Sequence, residues 1–159
     1  MSAWKDSTEI VTLGEDVKVV GLSLRQSGLP LAFDSMGPLW ERYGETCRGR
    51  MENAASPAVE YGVCLNTVPD YVTGCAVTAY GNIGEGFLAC AVPAGRYIKD
   101  TFGAETFEGM VGGALMKRDV PAWAKAHGIE IDGSLLVEVY PTHAYREGCY
   151  EMYTLTPIK

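Results

Sequence analysis

Leu135-Leu136-Val137-Glu138-Val139-Tyr140-Pro141 and Cys149-Tyr150-Glu151-Met152-Tyr153-Thr154-Leu155-Thr156-Pro157-Ile158-Lys159 decide how this chain folds. Both runs carry the β-branched and aromatic residues of strands, and Pro141 and Gly148 bound the polar loop between them. Side chains alternate across a strand, so Glu138 shares a face with Tyr140, and Glu151 shares one with Tyr153. A hairpin register setting Glu138 opposite Glu151 would bring both acids and their tyrosines together. Desolvating an unpaired carboxylate is costly, and a cation held in a pocket would remove that cost. Glu138 has a structural alternative, an acid on the wet face of an antiparallel sheet, and Glu151 has one on an exposed edge strand.

Upstream, Glu9 to Leu13 and Val17 to Leu24 are apolar runs separated by the turn signal Gly14-Glu15-Asp16, which reads as a hairpin. Phe33, Met36, Leu39, Trp40 and Tyr43 recur at helical spacing over Leu31 to about Met51, with a kink or late start at Gly37-Pro38. Tyr61 to Leu65 and Val72 to Tyr80 are two further strands. The order then repeats. Phe87 to Val92 and Arg96 to Phe102 read as strands around Pro93-Ala94-Gly95, and Phe107 to His127 as a helix split at Pro121. A shift of 74 positions sets Phe33 on Phe107, Met36 on Met110, Val63 on Val137, Tyr71 on Tyr145, Gly74 on Gly148 and Cys75 on Cys149. The expected fold is therefore α+β, one domain over 1–159. It comprises a tandem pseudo-symmetric pair of strand-strand-helix-strand-strand units, about 1–82 and 83–159, with an antiparallel sheet and helices flanking a ligand groove. The repeat breaks at the acids, since Glu138 falls on Cys64 and Glu151 on Val77.

Composition narrows the function. A net charge of −7 argues against direct binding to nucleic acid, which needs a basic face. Five cysteines without CxxC spacing read as reduced core thiols, and His127 and His143 lie in no ligand-like cluster, so no metal and no cofactor are expected. Met1 to Asp6 is polar, and no apolar run approaches a membrane span, so a cytoplasmic protein without a signal peptide is expected. Gly81-Asn82-Ile83-Gly84-Glu85-Gly86 lacks the lysine and hydroxyl of a phosphate loop and reads as a link between halves.

Pro93-Ala94-Gly95-Arg96-Tyr97, the helix bearing Trp123, Glu138-Val139-Tyr140 and the terminal Glu151-Met152-Tyr153-Thr154-Leu155-Thr156-Pro157-Ile158 together resemble the GyrI-like family. That family includes the effector-binding domains attached to Rob- and BmrR-type transcription regulators. Val19-Val20-Gly21-Leu22, Leu39-Trp40 and Tyr61-Gly62-Val63 are similar to its stand-alone, integron-cassette branch. The resemblance implies an SHS2-type duplication and a carboxylate, here Glu138, that meets cationic or aromatic compounds in an aromatic groove. It makes Glu151 the second acid. Tyr140 and Tyr153 share the acids' faces and are the preferred walls over Tyr150. Trp40, Met36, Tyr61, Tyr80, Phe87, Tyr97 and Trp123 are further candidates, each with core packing as the alternative. Three functions follow: binding of bulky hydrophobic, often cationic compounds; hydrolysis of strained cyclopropane-bearing genotoxins by Glu138 and Glu151; and protein-binding inhibition of gyrase. The sequence departs from those regulators in showing no DNA-binding part, so direct transcriptional control is not expected of it.

Overall fold

Two short strands at the centre of the sheet carry the architecture. A computed structural model describes residues 6–55, 59–141 and 148–159. It contains β1 (Ser7–Leu13), β2 (Val17–Ser23), α1 (Met36–Thr46), β3 (Glu60–Leu65), β4 (Asp70–Val77), β5 (Phe87–Val92), β6 (Gly95–Ala104), α2 (Phe107–Gly109), α3 (Val120–Ala126), β7 (Leu135–Tyr140) and β8 (Tyr150–Pro157). All eight strands form one antiparallel sheet in the order β1-β6-β8-β7-β3-β4-β2-β5. Exchanging β1–β4 for β5–β8 turns this order into its own reverse, with the β7–β3 pair in the middle.

The period of two sorts the central strands cleanly. Val137 and Val139 of β7 are fully buried on one face, with Val19, Tyr61, Val63, Val72, Val92, Tyr97 and Leu155 from six other strands. Each such valine withdraws a branched side chain from water, worth about 1.5–3 kcal/mol. Residues from both ends of the strand order meet in this cluster, so the sheet curls around it. The opposite face carries Glu138 and Tyr140 and packs under the helices. There Phe102, Met110, Tyr140 and Met152 form one cluster, and Leu24, Leu39 and Tyr71 another, with Trp40 touching both.

Several expectations are corrected here. The runs flanking Gly14-Glu15-Asp16 do not pair with each other, because β1 joins β6 while β2 lies between β4 and β5. The same holds around Pro93-Ala94. The two connections instead lie side by side, where the Asp16 carboxylate accepts the Ala94 N–H at 2.7 Å. Each half thus lends its first strand to the other. The constant shift of 74 also fails beyond β3 and β7. With Cys64 matched to Glu138, the facing residues Tyr71 and Thr154 are counterparts, 83 positions apart. Gly74/Gly148 and Cys75/Cys149 are therefore not matched by register, and Tyr145 and His143 lie outside the described residues. The longer β7–β8 connection absorbs the difference.

Helix α1 begins late, after a 3-10 turn at Phe33–Ser35. Pro38 fits because a first turn leaves its amide unpaired. The second helical stretch is broken more finely than Pro121 alone predicts. The Thr106 hydroxyl caps α2 by accepting the Gly109 N–H, and a π turn (Met110–Ala114) and a 3-10 turn (Leu115–Lys117) follow. Pro121 then sits in the first turn of α3, capped by Asp119. Arg118 closes the stretch by gripping buried Asp100 through two hydrogen bonds of 2.8 and 2.6 Å.

Candidate functional site

Between α1 and the α2–π stretch the sheet floors a cavity of about 630 Å³. Strand β7 presents Glu138 to it, and the register sets Glu138 opposite Gly62 of β3. Tyr71 stands one strand further, on β4. Two strand spacings separate β7 from β4, about 10 Å, and Tyr71 bridges them by lying across Gly62. Its hydroxyl donates to Glu138 Oε1 at 2.6 Å, and the Tyr140 hydroxyl donates to the same oxygen at 3.0 Å. Trp40 of α1 in turn donates its indole N–H to the Tyr71 oxygen at 2.8 Å. A methyl group on Gly62 would overlap both the Tyr71 hydroxyl and the Glu138 carboxylate. Gly62 is the gap through which this bridge forms.

The walls are mainly apolar. Trp40 meets the Tyr140 ring edge-on at 5.2 Å between centroids, and Phe107 meets Tyr150 likewise at 6.3 Å. Met36, Gly37 and Phe33 line one side, and Val111, Gly112 and Leu115 the other, with Asp34 and Glu41 adding carboxylates. Arg48 also reaches the cavity, but its guanidinium forks onto Glu60 with hydrogen bonds of 2.7 and 2.9 Å and lies over the Tyr43 ring. The acid at Glu60 is thereby neutralised within the protein. Glu138 makes no ion pair among the described residues.

Desolvation by the surrounding protein pushes the Glu138 carboxyl above the ordinary carboxylate range, and the Tyr71 and Tyr140 hydrogen bonds only partly oppose this. Burial, and then the charge of Glu138, push the Tyr71 phenol well up as well. The same two causes raise the Cys64 thiol to about 12, so it stays an unreactive thiol. Among the described residues, no group of three or more His, Cys, Asp or Glu side chains is placed to hold a metal ion. Among the described residues no helix is long and apolar enough to cross a membrane.

Of the residues singled out by sequence, the cavity brings together Glu138, Tyr140, Trp40 and Met36. It does not bring in Glu151. The β7–β8 register sets Glu138 opposite Thr154, so Glu151 and Tyr153 point to the other face of the sheet. Tyr150, set aside in favour of Tyr153, is the residue that lines the cavity, whereas Tyr153 packs in the strand-side core beneath Lys99. Tyr61 and Tyr97 belong to that same core, the Tyr97 hydroxyl donating to the Pro93 carbonyl at 2.5 Å. Tyr80 and Phe87 pack around Val20, Cys75 and Val77 near the far edge of the sheet. Trp123 stacks on His127 of α3. Tyr71, Phe107 and Gly62 went unrecognised as site residues. A tyrosine on the apolar β4 and a glycine inside β3 were the available signals.

The sequence matches the model of the integron-associated effector binding protein family over residues 9–154. The chain belongs to this effector-binding family. Solved structures agree in fold. An integron cassette protein from the mobile metagenome of Vibrio cholerae superposes with a TM-score of 0.62 at 14% identity, covering 96% of this chain and 95% of that one. The C-terminal domain of EcmrR gives 0.65 at 11% identity, covering 99% and 98%. SAV2435 bound to tetraphenylphosphonium gives 0.61 at 15%, covering 98% and 94%. No curated protein matches the sequence closely.

Proposed function

We propose that this protein binds bulky, hydrophobic, often cationic small molecules in the cavity between its two helical walls, with Glu138 as counter-charge. One observation carries the reading. Glu138 holds one oxygen between two tyrosine hydroxyls, inside an aromatic enclosure that disfavours its charge, and among the described residues it makes no ion pair, the nearby Arg48 being engaged by Glu60. A ligand cation supplies the opposite charge, and Trp40, Tyr140, Phe107 and Tyr150 supply faces and edges for stacking and cation–π attraction, each worth about 0.5–2 kcal/mol. The tetraphenylphosphonium held by the similarly folded SAV2435 fits this chemistry, a large apolar cation with no hydrogen-bond donor. Hydrolysis by a Glu138–Glu151 pair has less support, because the two acids lie on opposite faces of the sheet. The gyrase-inhibitor reading rests on surface acidity alone.

Isothermal titration of wild type and Glu138→Gln tests the proposal, using tetraphenylphosphonium and the uncharged, similarly shaped triphenylphosphine oxide. At an effective dielectric near 20, a charge pair 4 Å apart is worth about 4 kcal/mol. The variant should therefore lose at least tenfold in affinity for the cation and little for the neutral compound. Equal losses for both would remove Glu138 as the counter-charge.

A further inference from the structure

Two of the residues lining the cavity are glycines, one from each helical wall: Gly37 in the first turn of α1 and Gly112 in the π turn. Neither has the reasons for glycine that the fold provides elsewhere. Gly28, Gly81 and Gly148 have positive φ, and Gly37 and Gly112 do not. At Gly62 an added Cβ would strike Tyr71 and Glu138, whereas at Gly37 and Gly112 it would meet nothing within 4 Å. Glycine also weakens a helical turn relative to alanine. The backbone and the packing would accept a side chain at both positions, and the helical turns would gain from one. What a side chain would take away is space in the cavity.

Resting on the binding function proposed above, we infer that Gly37 and Gly112 are specificity-determining positions that keep the cavity wide enough for ligands bulky in three dimensions. Slender or flat cations bind without needing that width. The surroundings fit this role. Gly112 is followed by Gly113, and the stretch from Phe107 to Lys117 changes from α to π to 3-10 within three short turns. Its ends are held by the Thr106 cap and by the Arg118 grip on Asp100, so the wall keeps its place while its inner surface stays flat. Gly113 shares the open surroundings and the helical setting but does not line the cavity, which makes it an internal control.

The test is a graded series on the full chain, Gly112→Ala, Gly112→Leu, Gly37→Leu and Gly113→Ala. Each is titrated with tetraphenylphosphonium as the bulky cation and benzyltrimethylammonium as the slender one. Thermal melts establish that each variant is folded. Wild type should bind both cations, and binding of neither would refute the proposed function itself. Gly112→Leu and Gly37→Leu should each weaken tetraphenylphosphonium on the order of tenfold, the scale of forcing extra methylenes into a filled space. Gly112→Ala should fall between them and wild type. Benzyltrimethylammonium should be unaffected throughout, and Gly113→Ala should change neither. Because the substitutions lie on separate walls, failure of one variant to fold leaves the other to decide. Equal weakening of both cations, or an unchanged affinity for the bulky one, would overturn the width argument while leaving the binding function standing.

Discussion

Replacing Gly62 by alanine should be a costly one-carbon change at the centre of the sheet. The added methyl would overlap the Tyr71 hydroxyl and the Glu138 carboxylate. Neither can step aside cheaply. Tyr71 is fully packed beside Leu24 and Leu39 and accepts the Trp40 indole N–H, and Glu138 stands on the central strand. Separating them breaks a charge-assisted hydrogen bond of 2.6 Å, a contact worth about 1.5–3 kcal/mol. Overpacking the site costs a further 1–3 kcal/mol or so. Alanine returns about 0.4–1 kcal/mol by restricting the unfolded chain. The net loss is about 2–5 kcal/mol, which for a chain of this size lowers Tm by roughly 4–20 °C. Urea unfolding followed by circular dichroism measures it, and Tyr71→Phe completes the cycle. Once the hydroxyl is gone one of the two clashes is relieved, so the double variant should cost at least about 1 kcal/mol less than the sum of the singles. A Gly62→Ala loss within about 0.5 kcal/mol of zero, or strict additivity, would refute the account of Gly62 as the gap spanned by Tyr71.

Two further perturbations separate the roles of the buried acids. Because desolvation raises the Glu138 pKa, its ionisation opposes folding. The contribution of this group to stability is fully present below the unfolded value of about 4.3 and is lost as pH rises through the elevated folded value. Ligand-free Glu138→Gln should accordingly melt above wild type at pH 7, with the difference shrinking as pH is lowered. A constant difference across pH, read by differential scanning fluorimetry, would contradict this. Arg118→Met should destabilise by about 3–5 kcal/mol because Asp100 is left buried without a counter-charge, holding only the Thr8 hydroxyl. Adding Asp100→Asn should recover most of the loss, and failure to recover it in urea titrations would show that Arg118 acts through packing on Phe102 instead.

The sequence is most legible where the signal is local. Valine and tyrosine content marked the strands, and an acid between Val137 and Val139 marked Glu138, because a carboxylate inside an apolar strand is conspicuous whatever the strand pairs with. It is least legible where the answer depends on a distant partner. Gly14-Glu15-Asp16 reads as the same turn whether β1 folds back on β2 or departs to β6. The β7–β8 register is fixed by the whole sheet, and one residue of slip moves every side chain to the other face. That slip is the difference between Glu151 and Thr154 as the neighbour of Glu138, and between Tyr153 and Tyr150 as a wall. Tyr71 was invisible for a related reason. Its bond to Glu138 passes over an intervening strand, and only the missing side chain of Gly62 permits it.

The exchange of first strands between the halves also dictates an order of events during synthesis. β1 is made before the other described strands, yet β6, its ladder partner among the described residues, is made only after β2, α1, β3, β4 and β5 have emerged. β2 can zip onto β4 early, but the β1–β6 ladder, from Ser7–Thr101 to Leu13–Gly95, must wait for β6. Pairings this distant along the chain make for slow folding and leave a strand unpaired while they are awaited. During synthesis β1 is thus the strand most in need of protection, and a chain truncated before β6 would leave it without the ladder it forms here.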